Sequence, residues 1–232
     1  GVGPREPRSI LTERYQGTFA EQVAVPTWNL LPKPKGLSFE EAACLPTAWL
    51  TAYRMLFTNA GVRPGDSVLV QGAGGGVATA AIVLGKAAGL KVFATSRDEA
   101  KRKRALELGA VEAVEPGARL PQRVDAVLET VGAATWSHSV KSLRPGGTIV
   151  ISGATSGDRP SHAELTRIFF LELKVVGSTM GTKDELEDLL SFCDTTGVRP
   201  VIDEILPLDR AREGFERMAS GGQFGKIVFT VG

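Results

Sequence analysis

The sequence predicts an α/β fold: a doubly wound, mostly parallel sheet with helices on both faces. Three observations carry this. From Ser67 onward, short apolar runs alternate with helical stretches, the pattern of a parallel sheet whose crossovers are helices. The first run, Val68-Leu69-Val70, is continuously apolar, as a strand covered on both faces must be. A glycine-rich turn, Gly72 to Gly76, joins that strand to an Ala-rich helix. Size and composition agree. The 232 residues are 43% hydrophobic and 23% charged, ordinary for a globular chain. At roughly 150 residues per domain, this length predicts one full domain and part of another.

The elements follow in order. No period is clear before Gly17. Gly17–Pro26 (GTFAEQVAVP) alternates like a short strand that Pro26 stops. Lys33–Gly36 is a Pro-rich turn. Ser38, followed by Glu40 and Glu41, reads as a helix start with acids in its first turn. Pro46 opens the next helix, which runs through Trp49, Tyr53 and Leu56 to about Asn59, before the turn Gly61–Asp66. After the strand from Ser67 and the glycine turn, the Ala-rich helix reaches Ala88. Lys91–Thr95 is the second strand, and Asp98–Leu108 a helix ended by Gly109. Val111–Val114 and Val124–Leu128 are the third and fourth strands. A helix over Ala133–Leu143, a fifth strand Thr148–Ser152, a helix Ser161–Phe170 and a sixth strand Leu173–Val176 follow. Lys183–Cys193 is a helix with Leu186, Leu189 and Leu190 on one face. A strand Val201–Leu206, a helix Asp209–Met218 and a strand Lys226–Val231 complete the pattern.

Composition excludes several functions. A net charge of +1 argues against nucleic-acid binding through bulk electrostatics. No apolar run reaches the ~18 residues of a membrane span, and no basic-then-apolar leader is present, so no membrane partner is expected. Cys44 and Cys193 form neither a disulfide framework nor a metal-ligand pair, and His138 and His162 form no cluster. These features read as a reduced, cytoplasmic protein with no metal site. Both histidines read as surface residues.

The glycine turn carries the first chemical signal. Gly72-Ala73-Gly74-Gly75-Gly76-Val77-Ala78 approximates the dinucleotide fingerprint, with alanine at its last position. A strand-to-helix turn this tight needs positive φ, and a pyrophosphate needs close backbone approach. The helix N-terminus then offers free N–H groups and a positive dipole end. Gly72, Gly75, Gly76, Val77 and Ala78 are the expected phosphate-facing residues. The GxxxxGK[ST] loop of nucleotide hydrolases is absent, and Lys86 lies too far into the helix to replace it.

The end of the second strand carries the next signal. NAD-binding domains place an acid there for the ribose 2′-hydroxyl. Here the strand ends Thr95-Ser96-Arg97, without an acid. From Arg97 to Arg104 five basic residues face two acidic ones. Ser96, Arg97 and Lys101 suit a 2′-phosphate, which points to NADPH, whereas Arg102, Lys103 and Arg104 suit a solvated helix face.

Together the stretches GTFAEQVAVP, LSFEEAACLPTAWLTAY, VRPGDSVLVQGAGGGVATAAIVLGKAAG, ALELGA, DAVLETVG, LRPGGTIVISG and FGKIVF resemble the medium-chain dehydrogenase/reductase superfamily, in its zinc-free quinone reductase-like branch. The resemblance runs from about Gly17 to the end. It implies a Rossmann dinucleotide domain at residues 37–206, with remnants of a GroES-like catalytic domain at 1–36 and a segment returning to that domain at 207–232. Most of the catalytic domain has no counterpart before Gly17, so an N-terminally truncated chain is expected. At the position where zinc-dependent relatives carry a cysteine ligand the resemblance places Thr47, and Cys44 becomes a buried apolar residue. It implies that Thr47 and Thr51 face the nicotinamide. Glu129-Thr130-Val131-Gly132 ends the fourth strand, Ser152-Gly153-Ala154 the fifth, and Gly177-Ser178-Thr179-Met180 the sixth. Ligands gather at such strand ends, so Thr130, Val131, Gly132, Ser152, Gly153, Ala154, Ser178, Thr179 and Met180 are expected around the cofactor. Gly225 and Lys226 resemble the returning segment beside it. A homodimer through the sixth strand is also implied.

The function expected is NADPH-dependent hydride transfer to a small-molecule acceptor, a quinone or an activated alkene or carbonyl. No catalytic acid is assigned. Three alternatives stand beside it: a zinc alcohol dehydrogenase whose ligands precede Gly1, a non-catalytic NADPH-binding protein, and a methyltransferase on a similar sheet. The last would want an acid at Ser96 or Arg97.

Overall fold

The computed structural model describes residues 10–231. The first nine residues of the expected remnant at 1–36 lie outside them, as does Gly232.

Six strands form the main sheet: β1 (Ser67–Val70), β2 (Lys91–Thr95), β3 (Glu112–Val114), β4 (Val124–Glu129), β5 (Leu143–Ile151) and β6 (Lys174–Gly177). Their order is β3-β2-β1-β4-β5-β6, and every neighbouring pair is parallel. The doubly wound expectation holds. In β1 the period of two divides the core: Val68 and Val70 enter one hydrophobic cluster and Leu69 the other. The first cluster holds the helices α3 (Leu50–Tyr53) and α4 (Gly76–Ala87), with Leu50, Ala52, Ala80, Ile82 and Leu84 buried against it. The second lies under α6 (Trp136–Ser142) through Val140. The strand order reverses between β1 and β4, where the crevice of such a sheet opens.

Local chemistry sets the helix ends. Ser38 and Glu41 form a reciprocal capping box at the start of α2 (Phe39–Ala43). The helix expected from Pro46 is present with a difference. Leu45–Trp49 and Arg54–Ala60 are π-helical turns on either side of α3, and Gly61 ends the run at φ 63°. Asp98 accepts from the N–H groups of Ala100 and Lys101 at the start of α5 (Glu99–Leu108), and Gly109 closes it at φ 113°. Thr182 and Glu185 form a second capping box for α8 (Lys183–Thr196). The remaining helices are α1 (Leu11–Arg14), α7 (Leu165–Phe170) and α9 (Ala211–Ala219).

Several expectations are corrected. Gly17–Pro26 is not a strand: among the described residues no strand runs beside it, and alternation without a pairing partner leaves backbone groups unbonded. Phe19 instead meets Phe229 and Phe215 edge-on, at ring centroid distances of 5.3 and 5.9 Å. α6 starts at Trp136 rather than Ala133, because Thr135 N–H closes a turn onto the Gly132 carbonyl at 3.0 Å. α7 starts at Leu165 rather than Ser161, after Glu164 in a left-handed conformation. β5 begins earlier than expected, at Leu143, although its regular ladder with β4 resumes only at Thr148.

Among the described residues the two last strands, β7 (Ile202–Pro207) and β8 (Lys226–Thr230), pair only with each other in a parallel two-stranded sheet. Asp203 links this sheet to the main body. It accepts from Arg104 of α5 at 3.3 Å and from Arg217 of α9 at 2.8 Å, and these partners hold its carboxyl below the usual carboxylate range despite its burial. Arg104 also lies 4.1 Å from the centroid of the buried Phe224 ring. Arg104 is therefore a tether with a partly exposed side chain; of the three residues expected on a solvated face, Arg102 is the one that turns inward, donating to the Ser96 carbonyl at 2.7 Å.

Candidate functional site

The carboxyl ends of β1, β2, β4, β5 and β6 gather the expected residues along one edge of the sheet. Gly72 and Gly74 adopt φ of 76° and 115°, conformations that favour glycine. Gly72 has a second constraint, since a Cβ there would lie 2.9 Å from the Val131 side chain. Gly75 caps α4, a helix of 12 residues. Among the described residues, no acceptor meets the N–H groups of Gly76, Val77 and Ala78. Three free donors and the positive end of a helix thus converge at the β1/β4 reversal, an anion-binding arrangement.

The walls are built from the other expected segments. A Cβ on Gly76 would meet Lys226 at 2.8 Å and Ala48 at 3.3 Å, which places the Leu45–Trp49 turn and the start of β8 beside the glycine loop. Gly225 N–H donates to the Gly74 carbonyl at 2.9 Å. Thr47 is exposed, and Thr51 is buried with its hydroxyl donated to the Thr47 carbonyl at 2.7 Å. At the end of β4, Thr130-Val131-Gly132 folds against the turn after β5. Ser156 donates to the Val131 carbonyl, and a Cβ on Gly153 would lie 3.0 Å from the Thr130 carbonyl. Ala154 Cα stands 2.8 Å from a Cβ position on Gly132, so these two segments leave no room between them. Ser178 N–H donates to the Ile151 carbonyl at 2.8 Å, which sets Ser178, Thr179 and Met180 next to Ser152. Met180 is left-handed at φ 40°. The hydroxyls of Ser152 and Ser178 are buried and meet no partner among the described residues.

The three residues at the end of β2 separate in role. Arg97 is exposed and makes no side-chain hydrogen bond or ion pair among the described residues. Ser96 is buried and accepts from Asp98 N–H at 3.2 Å. Lys101 lies over Gly74, and its ammonium donates to the Gly221 carbonyl at 2.5 Å. Sequence reasoning grouped these residues and could not see that commitment, because Gly221 is remote in the chain.

It also missed a polar network beneath the site. Gln71, Thr95, Glu129, Thr135 and Ser139 are all buried, and they bond to one another across β1, β2, β4 and α6. The visible signal was an acid ending the apolar run of β4. His138 belongs to this layer and is not the surface residue expected. It is half-buried, its Nδ1 meets Gln71 Nε2 at 3.1 Å, and its Nε2 meets the Ala118 carbonyl at 2.9 Å. Burial holds its pKa below the usual value, against the opposing influence of that carbonyl and of Glu129.

Cys44 is buried as expected. Burial pushes its thiol up to about 11, against the opposing charge of Lys226. Such a thiol stays protonated near neutral pH. Among the described residues no three His, Cys, Asp or Glu side chains cluster as metal ligands, and no helix is long and apolar enough to cross a membrane.

Comparison with known proteins agrees with this geometry. Residues 76–195 match the zinc-binding dehydrogenase family. The acryloyl-coenzyme A reductase of Sulfurisphaera tokodaii is 32% identical over 94% of this chain and 66% of its own length. The quinone oxidoreductase of Mus musculus is 30% identical over 93% of this chain and 70% of its own. A crystal structure of an NAD-dependent alcohol dehydrogenase superposes with a TM-score of 0.89 at 40% identity, covering 97% of this chain and 68% of the other. A 2-octenoyl-CoA carboxylase reductase solved with NADP and 2-octenoyl-CoA superposes with a TM-score of 0.80 at 28% identity, over 87% and 52%. The chain thus spans about two thirds of the length of the known relatives it matches.

Proposed function

The chain belongs to the medium-chain dehydrogenase/reductase superfamily, and from that premise we propose that it is the cofactor-binding part of an NADPH-dependent oxidoreductase. Hydride transfer to a quinone or an activated alkene or carbonyl is the reaction that fits. The observation that carries this reading is the set of free N–H groups at Gly76, Val77 and Ala78, at the sheet's reversal and behind a glycine turn that a Cβ would obstruct.

We assign residues 37–206 to the dinucleotide domain, and 1–36 and 207–232 to a catalytic unit. Gly72, Gly75, Gly76, Val77 and Ala78 would take the pyrophosphate, and Arg97 with Ser96 the 2′-phosphate. Lys101 would act mainly by holding the loop at Gly74. The turns Thr130–Gly132, Ser152–Ala154 and Ser178–Met180, with Gly225 and Lys226, would line the rest of the cleft. Thr47 and Thr51 would border the nicotinamide. A bound nicotinamide supplies the hydride; the chain's own part is placement and exclusion of water. Thr47 offers a hydroxyl where the resemblance puts a zinc-ligating cysteine, which supports a zinc-free reaction in which hydroxyls and backbone N–H groups polarise the acceptor.

A second reading is NADH as the cofactor. It is favoured by a relative described as NAD-dependent and by the commitment of Lys101 to Gly221, which leaves Arg97 as the one cation of the three without a partner among the described residues. The lack of an acid at Thr95, Ser96 or Arg97 favours NADPH. We also propose a homodimer through β6, the last strand of the sheet. Val175 is exposed there, as are Leu165, Phe169 and Phe170 of the preceding α7, and an open apolar edge requires cover.

Calorimetric titration with NADPH, NADH and S-adenosylmethionine, beside a quinone reductase assay, tests the function. Binding of a nicotinamide nucleotide is expected. Binding of S-adenosylmethionine alone would overturn the proposal.

A further inference from the structure

The Glu129 carboxylate is fully buried with no cationic side chain bonded to it among the described residues, and it sits directly beneath the candidate cofactor cleft. Such a group is costly unless its oxygens are met by donors. They are met from two directions. Oε1 accepts from the N–H of Val131 at 2.7 Å and of Gly132 at 3.0 Å, the turn on one side of the cleft. Thr135 bridges both oxygens at 2.9 Å. Oε2 accepts from the Ser139 hydroxyl at 2.5 Å.

From Ser139 the bonds continue in one sense. Gln71 Nε2 donates to Ser139 Oγ at 3.0 Å, and Thr95 Oγ1 donates to Gln71 Oε1 at 2.6 Å. The N–H of Gly72 donates to Thr95 Oγ1 at 3.3 Å. Each hydroxyl has one proton, so each donation in this chain fixes the direction of the next. His138 Nε2 faces the Ala118 carbonyl, which can only accept, so its Nδ1 is left to accept the second proton of the Gln71 amide at 3.1 Å and fixes the amide's orientation. The chain ends at the glycine loop, on the other side of the cleft. The two turns also adjoin there, since a Cβ on Gly72 would lie 2.9 Å from the Val131 side chain.

We infer that Glu129 is a positioning residue that holds both sides of the cofactor cleft from below. It holds Val131 and Gly132 directly, and Gly72 through the relay Ser139–Gln71–Thr95. The inference rests on the cofactor reading above for its effect on affinity, but the coupling between the two loops can be measured without any ligand.

Amide hydrogen exchange by NMR reads the coupling, and calorimetry reads NADPH affinity. Ser139→Ala cuts the relay and leaves Glu129 bonded to its own turn. It should speed exchange at Gly72 by up to about tenfold, because the Thr95 hydroxyl that accepts from Gly72 loses the fixed Gln71 amide that orients it, and leave Val131 and Gly132 near the wild-type rate. NADPH affinity should fall by roughly three- to tenfold. Thr95→Val cuts the same chain next to Gly72 and should do the same, and the double variant should be no worse than either single one. Glu129→Gln should speed exchange at all three amides. Asp125→Asn, which disturbs the bonds to Ser67 and Arg144 at the opposite end of the sheet, should lower Tm and change neither readout. The inference is overturned if Ser139→Ala and Thr95→Val lower Tm with Gly72 exchange unchanged, because Glu129 would then serve only its own turn. If wild type binds no nicotinamide nucleotide, the cofactor reading fails, and Gly72 exchange alone decides the relay.

Discussion

Removing the Arg97 side chain should separate the two nicotinamide cofactors. Arg97 is exposed and its guanidinium has no intramolecular partner among the described residues, so Arg97→Ala breaks nothing in the free protein. Its cost therefore appears only with a ligand that the guanidinium touches. A charge-assisted hydrogen bond to the 2′-phosphate corresponds to roughly ten- to hundredfold in affinity. Exposure and screening by salt put the expectation at the lower end, about tenfold. NADH lacks that phosphate and should be unaffected. Lys101→Ala should behave differently. Its ammonium holds the Gly221 carbonyl and its stem covers Gly74, so its loss should weaken NADPH and NADH alike. Ser96→Asp should invert the preference, since the new carboxylate repels the phosphate and offers the ribose hydroxyl an acceptor. Isothermal titration of both cofactors against wild type and the three variants, repeated at higher salt, provides the measurement. The Arg97 effect should shrink as salt rises. A wild type that prefers NADH, or an Arg97→Ala that weakens both cofactors equally, would refute the assignment of the 2′-phosphate site.

Gly132→Ala should lower Tm more than Gly61→Ala. Both residues have positive φ, which for alanine costs ~1–2 kcal/mol, or roughly 2–8 °C in a chain of this size. At Gly132 the new Cβ also meets backbone at 2.5 Å, whereas at Gly61 it meets nothing within 4 Å, so equal melting shifts would show the Gly132 turn to be yielding. Stability should decline as pH falls from about 7 through the usual imidazole value near 6.5. His138 titrates lower in the folded protein than unfolded, so the unfolded chain binds the extra proton first. Denaturant unfolding of His138→Gln should lose that segment of the pH dependence, while the further loss below the usual carboxylate range, where Asp125, Glu185 and Asp203 protonate, should persist. Val175→Lys on β6 should shift sedimentation toward monomer; an unchanged sedimentation coefficient would place any dimer contact elsewhere.

Much of the fold was legible because its signals are local. β2 runs over Lys91–Thr95 as expected from five residues and their boundaries. Asp98 and Gly109 mark the ends of α5 because a side-chain acceptor and a left-handed glycine satisfy groups within one turn of themselves. The glycine loop was legible for the same reason. The strand expected at Gly17–Pro26 failed because a strand needs a neighbour, and alternation says nothing about whether one is present. The early starts expected for α6 and α7 failed at Gly132–Thr135 and Glu164, where turn bonds and a left-handed residue displace the helix.

The sequence by itself determined the doubly wound sheet, the glycine turn at its reversal, the absence of an acid after β2 and the set of strand ends that border the cleft. Each depends on residues within a few positions of one another, where propensity, capping and period act. The tertiary structure alone decided which of those residues are free to meet a ligand. It committed Lys101 to Gly221 and Arg104 to Asp203, partners about a hundred positions away. It left Arg97 open, drew His138 inward, and joined Gln71, Thr95, Ser139 and Glu129 beneath the glycine loop. The physical reason is that a buried polar group must find its hydrogen-bond partner in space, and no local pattern in the chain records where that partner lies.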